Sequence, residues 1–130
     1  MRMNTILSVL LLAASAVVPG CTCVARDAET YRADTRTVLE TRNDAVKTCY
    51  DEALKADPAV SGDVVVKFKV EKKTGKILDA AADPTRTNAP AALSDCIVKA
   101  LDGLALDPVD QRQGDATFSW AFKANPPKQL

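Results

Sequence analysis

The chain has 130 residues, a length typical of one domain, and its 17 Lys and Arg side chains balance 17 Asp and Glu side chains. A net charge of zero excludes the basic field with which proteins hold nucleic acid, so no nucleic-acid partner is predicted. Histidine is absent, which removes the commonest general base and the commonest metal ligand, and no metal or cofactor site is predicted.

Residues 1–20 have the composition of a bacterial signal peptide. Arg2 supplies a positive start, and the apolar run 6–18 is too short to span a membrane as a helix. The run ends in Val18-Pro19-Gly20-Cys21, which resembles the lipobox of bacterial lipoproteins and marks Cys21 for lipidation. The alternative is ordinary secretory cleavage after Ala14-Ser15-Ala16.

The predicted lipid anchor determines the expected location. Several acyl chains on Cys21 are enough to hold a protein stably at a membrane. Thr22 follows Cys21, and the resemblance to lipoprotein sorting rules then favours the outer membrane. We therefore expect a protein of the bacterial cell envelope, anchored by lipid and facing the periplasm.

The next segment, residues 21–37, is charged and nearly free of large apolar side chains. This composition predicts a solvated tether between the membrane and the domain. The segment is alternatively a forward extension of the helix that follows, and Cys23 within it is a candidate functional thiol. The charged residues are Arg26, Asp27, Glu29, Arg32, Asp34 and Arg36.

Residues 38–55 form the first predicted helix, because apolar side chains recur at three- and four-residue spacings. Arg42 interrupts this apolar stripe. Asp57-Pro58 ends the helix, since a residue before proline is pushed out of the helical region. The stripe consists of Val38, Leu39, Ala45, Val46, Cys49, Tyr50, Ala53 and Leu54.

A hairpin is predicted next. In residues 62–71, apolar side chains fall on even positions and charged ones on odd positions, with Val65 the exception. This alternation is typical of a strand with one buried face. Lys73-Thr74-Gly75 supplies the turn, and residues 76–82 return as the second strand.

A second helix and a third strand follow. Asn88 or Ala89 is the predicted cap of the helix, Pro90 lies in its first turn, and Asp107-Pro108 ends it. Residues 116–122 then alternate aromatic and small polar side chains as the third strand, and residues 125–130 are a tail. The apolar stripe of the second helix consists of Leu93, Cys96, Ile97, Ala100, Leu101 and Leu104.

The order α-β-β-α-β predicts an α+β two-layer sandwich for residues 38–124. Two helices then cover one face of a three-stranded antiparallel sheet. A right-handed crossover puts the third strand beside the first and gives the sheet order 2-1-3. The third strand is therefore expected at an edge, with one side unpaired.

Cys49 and Cys96 fall on the apolar stripes of the two predicted helices. Export to an oxidising compartment favours a disulfide between them. Two buried free thiols are the alternative. A metal site is not predicted, because two cysteines without histidine do not supply the four ligands of structural zinc.

Several of these residues resemble a known family. The first half of the match looks like the opening of the AgmX/PglI C-terminal domain, which itself resembles the periplasmic C-terminal domain of TonB. Its residues are Cys49-Tyr50-Asp51-Glu52-Ala53-Leu54, Pro58, Gly62 and the strand 64–70. Cys96, Pro108 and the strand 118–122 match the family's later cysteine, proline and aromatic strand, so the resemblance covers residues 45–124.

The chain departs from that family at two places. Leu104-Ala105-Leu106-Asp107-Pro108 stands where the family has Trp-x-Phe-Pro, and the last strand lacks the family's proline. The resemblance implies an envelope protein linked to gliding motility or to TonB-like transduction. Since a transmembrane helix and a long proline-rich region are missing from the sequence, we expect a stand-alone domain.

The function predicted from these observations is non-catalytic binding or scaffolding of proteins in the cell envelope. For a small envelope enzyme, the alternative, the sequence offers only Asp79 and Asp83, and Ser94 beside Asp95. No nucleophile has a visible base, and no glycine-rich phosphate loop occurs. A thiol-redox role for Cys23, Cys49 and Cys96 is a further alternative, although the sequence lacks the Cys-x-x-Cys motif of thiol-redox proteins.

The predicted binding surface is the edge strand formed by Ala116, Thr117, Phe118, Ser119, Trp120, Ala121 and Phe122. An unpaired edge is a template for an extended segment of an envelope protein, or for a second copy in a homodimer. The alternative is a protected edge, shielded by Lys123 and by a tail through Pro126-Pro127.

Overall fold

The computed structural model describes residues 24–124, which form three helices and three strands. In chain order these are α1 (Ala28–Glu40), α2 (Asn43–Ala56), β1 (Gly62–Val70), β2 (Ile77–Ala82), α3 (Ala91–Ala100) and β3 (Gly114–Phe122). The strands make one antiparallel sheet in the order β2-β1-β3. The predicted α+β class and sheet order are confirmed, with one helix more than predicted.

The core lies between the helices and the even-numbered face of β1. Val64, Val66, Phe68 and Val70 are buried on that face. All three helices contribute buried side chains to the same cluster, namely Leu39, Val46, Cys49, Leu93 and Ile97. Because burying such a side chain stabilises the fold by about 1.5–3 kcal/mol, the alternation in β1 determines where the helices pack.

The structure corrects the predicted tether and favours its alternative, because residues 28–37 are helical and form α1 together with residues 38–40. Asp27 is the N-cap of this helix, and its carboxylate accepts a hydrogen bond from the Thr30 amide at 2.9 Å. Thr35 and Leu39 are buried, so α1 packs on the domain. Cys21, Cys23 and residues 125–130 lie outside the described residues.

The predicted helix 38–55 is divided at Thr41 and Arg42. The α1 helix ends at Glu40, and α2 begins at Asn43. Arg42 lies at this junction, and its Nη2 donates to the Asp102 carbonyl at 3.2 Å, just beyond α3. The arginine that interrupts the apolar stripe therefore marks a helix boundary.

The predicted limits of α3 are wrong at both ends, since the cap is off by one or two residues and the helix ends at Ala100, before Asp107-Pro108. Pro90 is the N-cap, with extended ψ. The side chain of Asn88 instead accepts a hydrogen bond from the Asp63 amide at 2.6 Å. This asparagine therefore holds the loop before α3 against the start of β1.

Val65 is buried although it lies on the charged face of β1. The segment after β2 continues the pairing along this part of β1: the Asp83 amide donates to the Val65 carbonyl at 2.7 Å, and the Val65 amide donates to Thr87 Oγ1 at 3.0 Å. The exception in the alternation therefore lies where this segment bonds to the backbone of β1. Within residues 24–124, no helix is long and apolar enough to cross a membrane.

Candidate peptide-binding edge and arginine groove

A disulfide joins α2 to α3. The Sγ atoms of Cys49 and Cys96 are 2.02 Å apart, and the two Cα atoms are 5.8 Å apart. The predicted pairing is confirmed. The bond lies in the helix layer, where Cys49 is a member of the buried core, and it braces the layer on which the sheet packs.

The predicted edge strand is part of β3, which pairs only with β1 among the described strands. Odd residues of β1 direct their backbone groups to the β2 side, since the carbonyls of Asp63 and Val65 accept from the segment after β2. The backbone groups of even residues of β1 therefore bond to β3. Because Val66 pairs with Phe118, the backbone groups of even residues of β3 point toward β1.

The odd residues of β3 consequently direct their N–H and C=O groups away from the sheet. These residues are Asp115, Thr117, Ser119 and Ala121. No other strand of residues 24–124 pairs with them on that side. Since an unpaired row of this kind can bond another extended chain, β3 has the backbone geometry that strand addition requires.

The second half of β3 presents aromatic side chains on the helix face of the sheet. Phe118, Trp120 and Phe122 are each only half-buried, and the rings of Phe118 and Trp120 lie 4.6 Å apart. Tyr50 of α2 stacks on Phe122 at 4.8 Å, and its hydroxyl lies 3.0 Å from the Lys123 carbonyl. This stacking holds the end of β3 against α2 and leaves part of the aromatic surface exposed.

A groove of about 540 Å³ runs between α1 and the first half of β3. We call it the α1–β3 groove. Its apolar lining includes Leu39, Phe68, Ala116 and Phe118. Its charged lining consists of Arg26, Arg32, Arg36, Arg112 and Asp115, four cations against one anion.

A buried carboxylate, Asp110, holds Arg26 in the wall of this groove. The amides of Arg26 and Arg112 donate to Asp110 Oδ2 and Oδ1 at 2.8 and 2.9 Å. Arg26 also donates from Nε to Asp34 at 2.6 Å and from Nη2 to the Pro108 carbonyl at 2.8 Å. Burial by itself raises the pKa of Asp110, but these two amides and the nearby guanidinium groups outweigh it and lower the pKa.

Two residues that line the groove each have a buried polar atom without a hydrogen-bond partner among residues 24–124. These atoms are Arg26 Nη1 and Thr35 Oγ1. The Arg26 side chain is 4% exposed, and Thr35 is 5% exposed. Asp110 Oδ2 lies 3.5 Å from Arg26 Nη1, near enough for an ion pair but without hydrogen-bond geometry. Buried polar groups are nearly always bonded, so these two atoms suit a ligand that offers oxygen acceptors.

The side chains considered for catalysis take part in separate local interactions. Asp79 pairs with Lys69 at 3.1 Å, and Ser94 Oγ donates to the Ala91 carbonyl at 3.0 Å. Asp83 is buried, and hydrogen bonds from Lys67, then Thr85 and Arg86, hold its pKa well below its ordinary value. Over the described part of the chain, no cluster of three or more metal-ligating side chains occurs.

Comparisons of the chain with family models, with curated proteins and with solved structures found no match. The resemblance to the AgmX/PglI C-terminal domain therefore stays a prediction drawn from its motifs.

Sequence reasoning missed the α1–β3 groove. The sequence predicts a tether for residues 21–37, so it gives no reason to expect Arg26 to contact Asp110 or Thr35 to line a groove. Two local signals for α1 were available: Asp27 stands three residues before Thr30, as in a helix cap, and residues 24–41 contain neither proline nor glycine. Neither signal identifies the contact with Asp110.

Proposed function

We propose that this protein is a lipoprotein of the bacterial outer membrane, anchored through Cys21, whose periplasmic domain binds another envelope protein without catalysing a reaction. Binding occurs by strand addition to β3. The observation that supports this proposal most directly is the outward row of backbone groups at Asp115, Thr117, Ser119 and Ala121. The resemblance to TonB-like domains supports the same surface by analogy and suggests a link to gliding motility or TonB-like systems.

Proline at Thr117 or at Ser119 is expected to abolish capture of the partner. Each substitution removes one outward N–H and leaves the bonds to β1 in place, because both residues are odd-numbered in β3. Affinity capture from envelope extracts, with bound proteins identified by mass spectrometry, compares each variant with the parent protein. Circular dichroism checks that both variants remain folded.

Thr117→Val and Ser119→Val are the matched controls, because they change the same exposed side chains and keep the amide. They should capture the same proteins as the parent. Proline variants that fold normally and retain those partners would show that β3 is not the binding site. If the partner is a second copy of this chain, sedimentation should detect a dimer of the parent protein and a monomer of the proline variants.

Cys21→Ser is expected to move the protein from the membrane fraction to the soluble periplasmic fraction. The serine cannot receive the acyl chains that hold the protein at a membrane. Fractionation followed by immunoblotting measures the distribution, with Cys23→Ser as the neighbouring control that keeps the anchor. If the Cys21→Ser protein partitions with membranes as before, the lipid anchor is contradicted.

A further inference from the structure

We propose that the α1–β3 groove binds carboxylate side chains of the segment that pairs with β3, so that this protein selects an acidic extended peptide. The inference rests on the proposed strand addition and adds the chemistry of the bound segment. The two surfaces are continuous, because Asp115 and Thr117 line the groove and also have outward backbone groups.

The charge of the groove favours an anion. Asp34 and Asp110 pair with Arg26, and Asp110 also lies 3.7 Å from Arg112 Nε. Arg32 and Arg36 form no ion pair with any residue of 24–124, so no carboxylate neutralises their charges. The Arg36 guanidinium lies 5.6 Å from the centroid of the Phe118 ring, which holds this charge at the groove. The lining carboxylate, Asp115, is an odd residue of β3, and its side chain belongs by alternation to the opposite face of the sheet.

The buried atoms of the groove specify what the anion must offer. Arg26 Nη1 can only donate hydrogen bonds, and Thr35 Oγ1 also has a proton to donate. Both side chains are more than nine-tenths buried, so solvent reaches them poorly. A carboxylate offers an oxygen acceptor to each donor, and its bond to the guanidinium is charge-assisted.

The size and lining of the groove favour a peptide over a small ion. Its volume of about 540 Å³ is in the range of pockets for drug-sized molecules, far above that of one carboxylate. Leu39, Phe68 and Phe118 add an apolar lining that suits the methylene groups of glutamate. Alternate side chains of an added strand face the same layer as Ala116 and Phe118, so the predicted segment has acidic residues two positions apart.

The test uses two labelled octapeptides in which every second residue is threonine. In the first peptide the other four residues are two glutamates followed by two valines. In the second peptide two glutamines replace the glutamates. Fluorescence anisotropy with the purified protein measures both dissociation constants. The glutamate peptide should bind about tenfold tighter or better, since hydrogen bonds to charged groups are stronger than neutral ones. Added salt should reduce this advantage, because Arg32 and Arg36 are exposed.

Arg32→Gln combined with Arg36→Gln should remove most of the preference for the glutamate peptide. Lys72→Gln combined with Lys99→Gln is the matched control, because these two exposed cations also form no ion pair within residues 24–124 and lie outside the groove. The control should bind both peptides as the parent does. Equal loss in both double variants would indicate a long-range charge effect and overturn the groove as the site.

Thr35→Val separates a binding role from a structural one. Valine removes a buried hydroxyl that has no partner in the described residues, so the unfolding temperature should rise while affinity for the glutamate peptide falls severalfold. A rise in unfolding temperature with unchanged affinity would overturn the assignment of Thr35.

The inference and the proposed function fail in different ways. In one outcome the two peptides bind equally well, Thr117→Pro abolishes this binding, and the arginine double variant leaves it unchanged. This outcome overturns the acidic preference and leaves strand addition intact. The same holds if the glutamate peptide does not bind while the proline variants still lose their envelope partners. Inorganic phosphate that competes as tightly as the glutamate peptide identifies a small-anion site and overturns the inference.

Discussion

Removal of the Cys49–Cys96 disulfide is expected to lower the free energy of unfolding by about 2–4 kcal/mol. The two cysteines are 47 residues apart, so reduction releases a long loop in the unfolded chain. The upper figure comes from the entropy of closing that loop, and strain in the folded state reduces it. Since small domains are stable by only about 5–15 kcal/mol in total, this loss is large.

Urea unfolding of the parent protein with and without reductant measures the effect. The Cys49→Ala and Cys96→Ala double variant is the control, because its unfolding midpoint should match the reduced parent and should not respond to reductant. Equal midpoints for the oxidised and reduced parent would contradict a stabilising role. Non-reducing peptide mapping of the purified protein should recover these two cysteines as one cross-linked peptide pair.

Gly75→Ala is expected to destabilise the domain by about 3 kcal/mol or more. Gly75 has φ +69, where an alanine pays about 1–2 kcal/mol for the left-handed conformation. A Cβ at this position also collides with the backbone carbonyl oxygen of Leu106, which cannot rotate away as a side chain can. The Gly75 carbonyl accepts from the Leu106 amide at 2.7 Å, so the collision separates the hairpin turn from the chain after α3.

Gly103→Ala is the matched control for this steric argument. Gly103 also has positive φ, at +80, but the nearest atom to its Cβ would be Arg42 Nη2 at 3.9 Å. This variant should therefore lose only the conformational cost of about 1–2 kcal/mol. Chemical unfolding of the two variants measures the difference. Equal losses would mean that contact with Leu106 contributes nothing.

The edge strand was predictable to within two residues at its start. Residues 116–122 alternate aromatic and small side chains, and the structure extends this strand to Gly114–Phe122. Its position at the edge followed from chain order and the handedness of the crossover, which are general rules. The direction of its backbone groups needed the register, because alternation of side chains alone does not say which amides face a neighbour.

The α1–β3 groove was not predictable in the same way. Only Thr35 and Leu39 of α1 are fully buried, so the helix has too few apolar side chains for a periodic signal. The charged residues of α1 and of the segment before it resemble those of a solvated linker, and only the structure shows that Arg26 contacts Asp110, 84 residues away. In the sequence, a charged residue that is buried against one distant partner cannot be distinguished from a charged residue that is exposed to water.

The sequence by itself determined the sheet, the helices α2 and α3 and the pairing of the two cysteines. The strands depend on a two-residue repeat of apolar side chains, the helices on a repeat of three to four residues, and the disulfide on a pair of cysteines. The repeats are visible because an element with one buried face needs apolar side chains at the period of that face. Only the tertiary structure decided the folding of residues 28–37 onto β3, the burial of Val65 and the unpaired donors of Arg26 and Thr35 beside the groove. These features depend on single contacts between distant residues, and such contacts leave no periodic pattern in the chain.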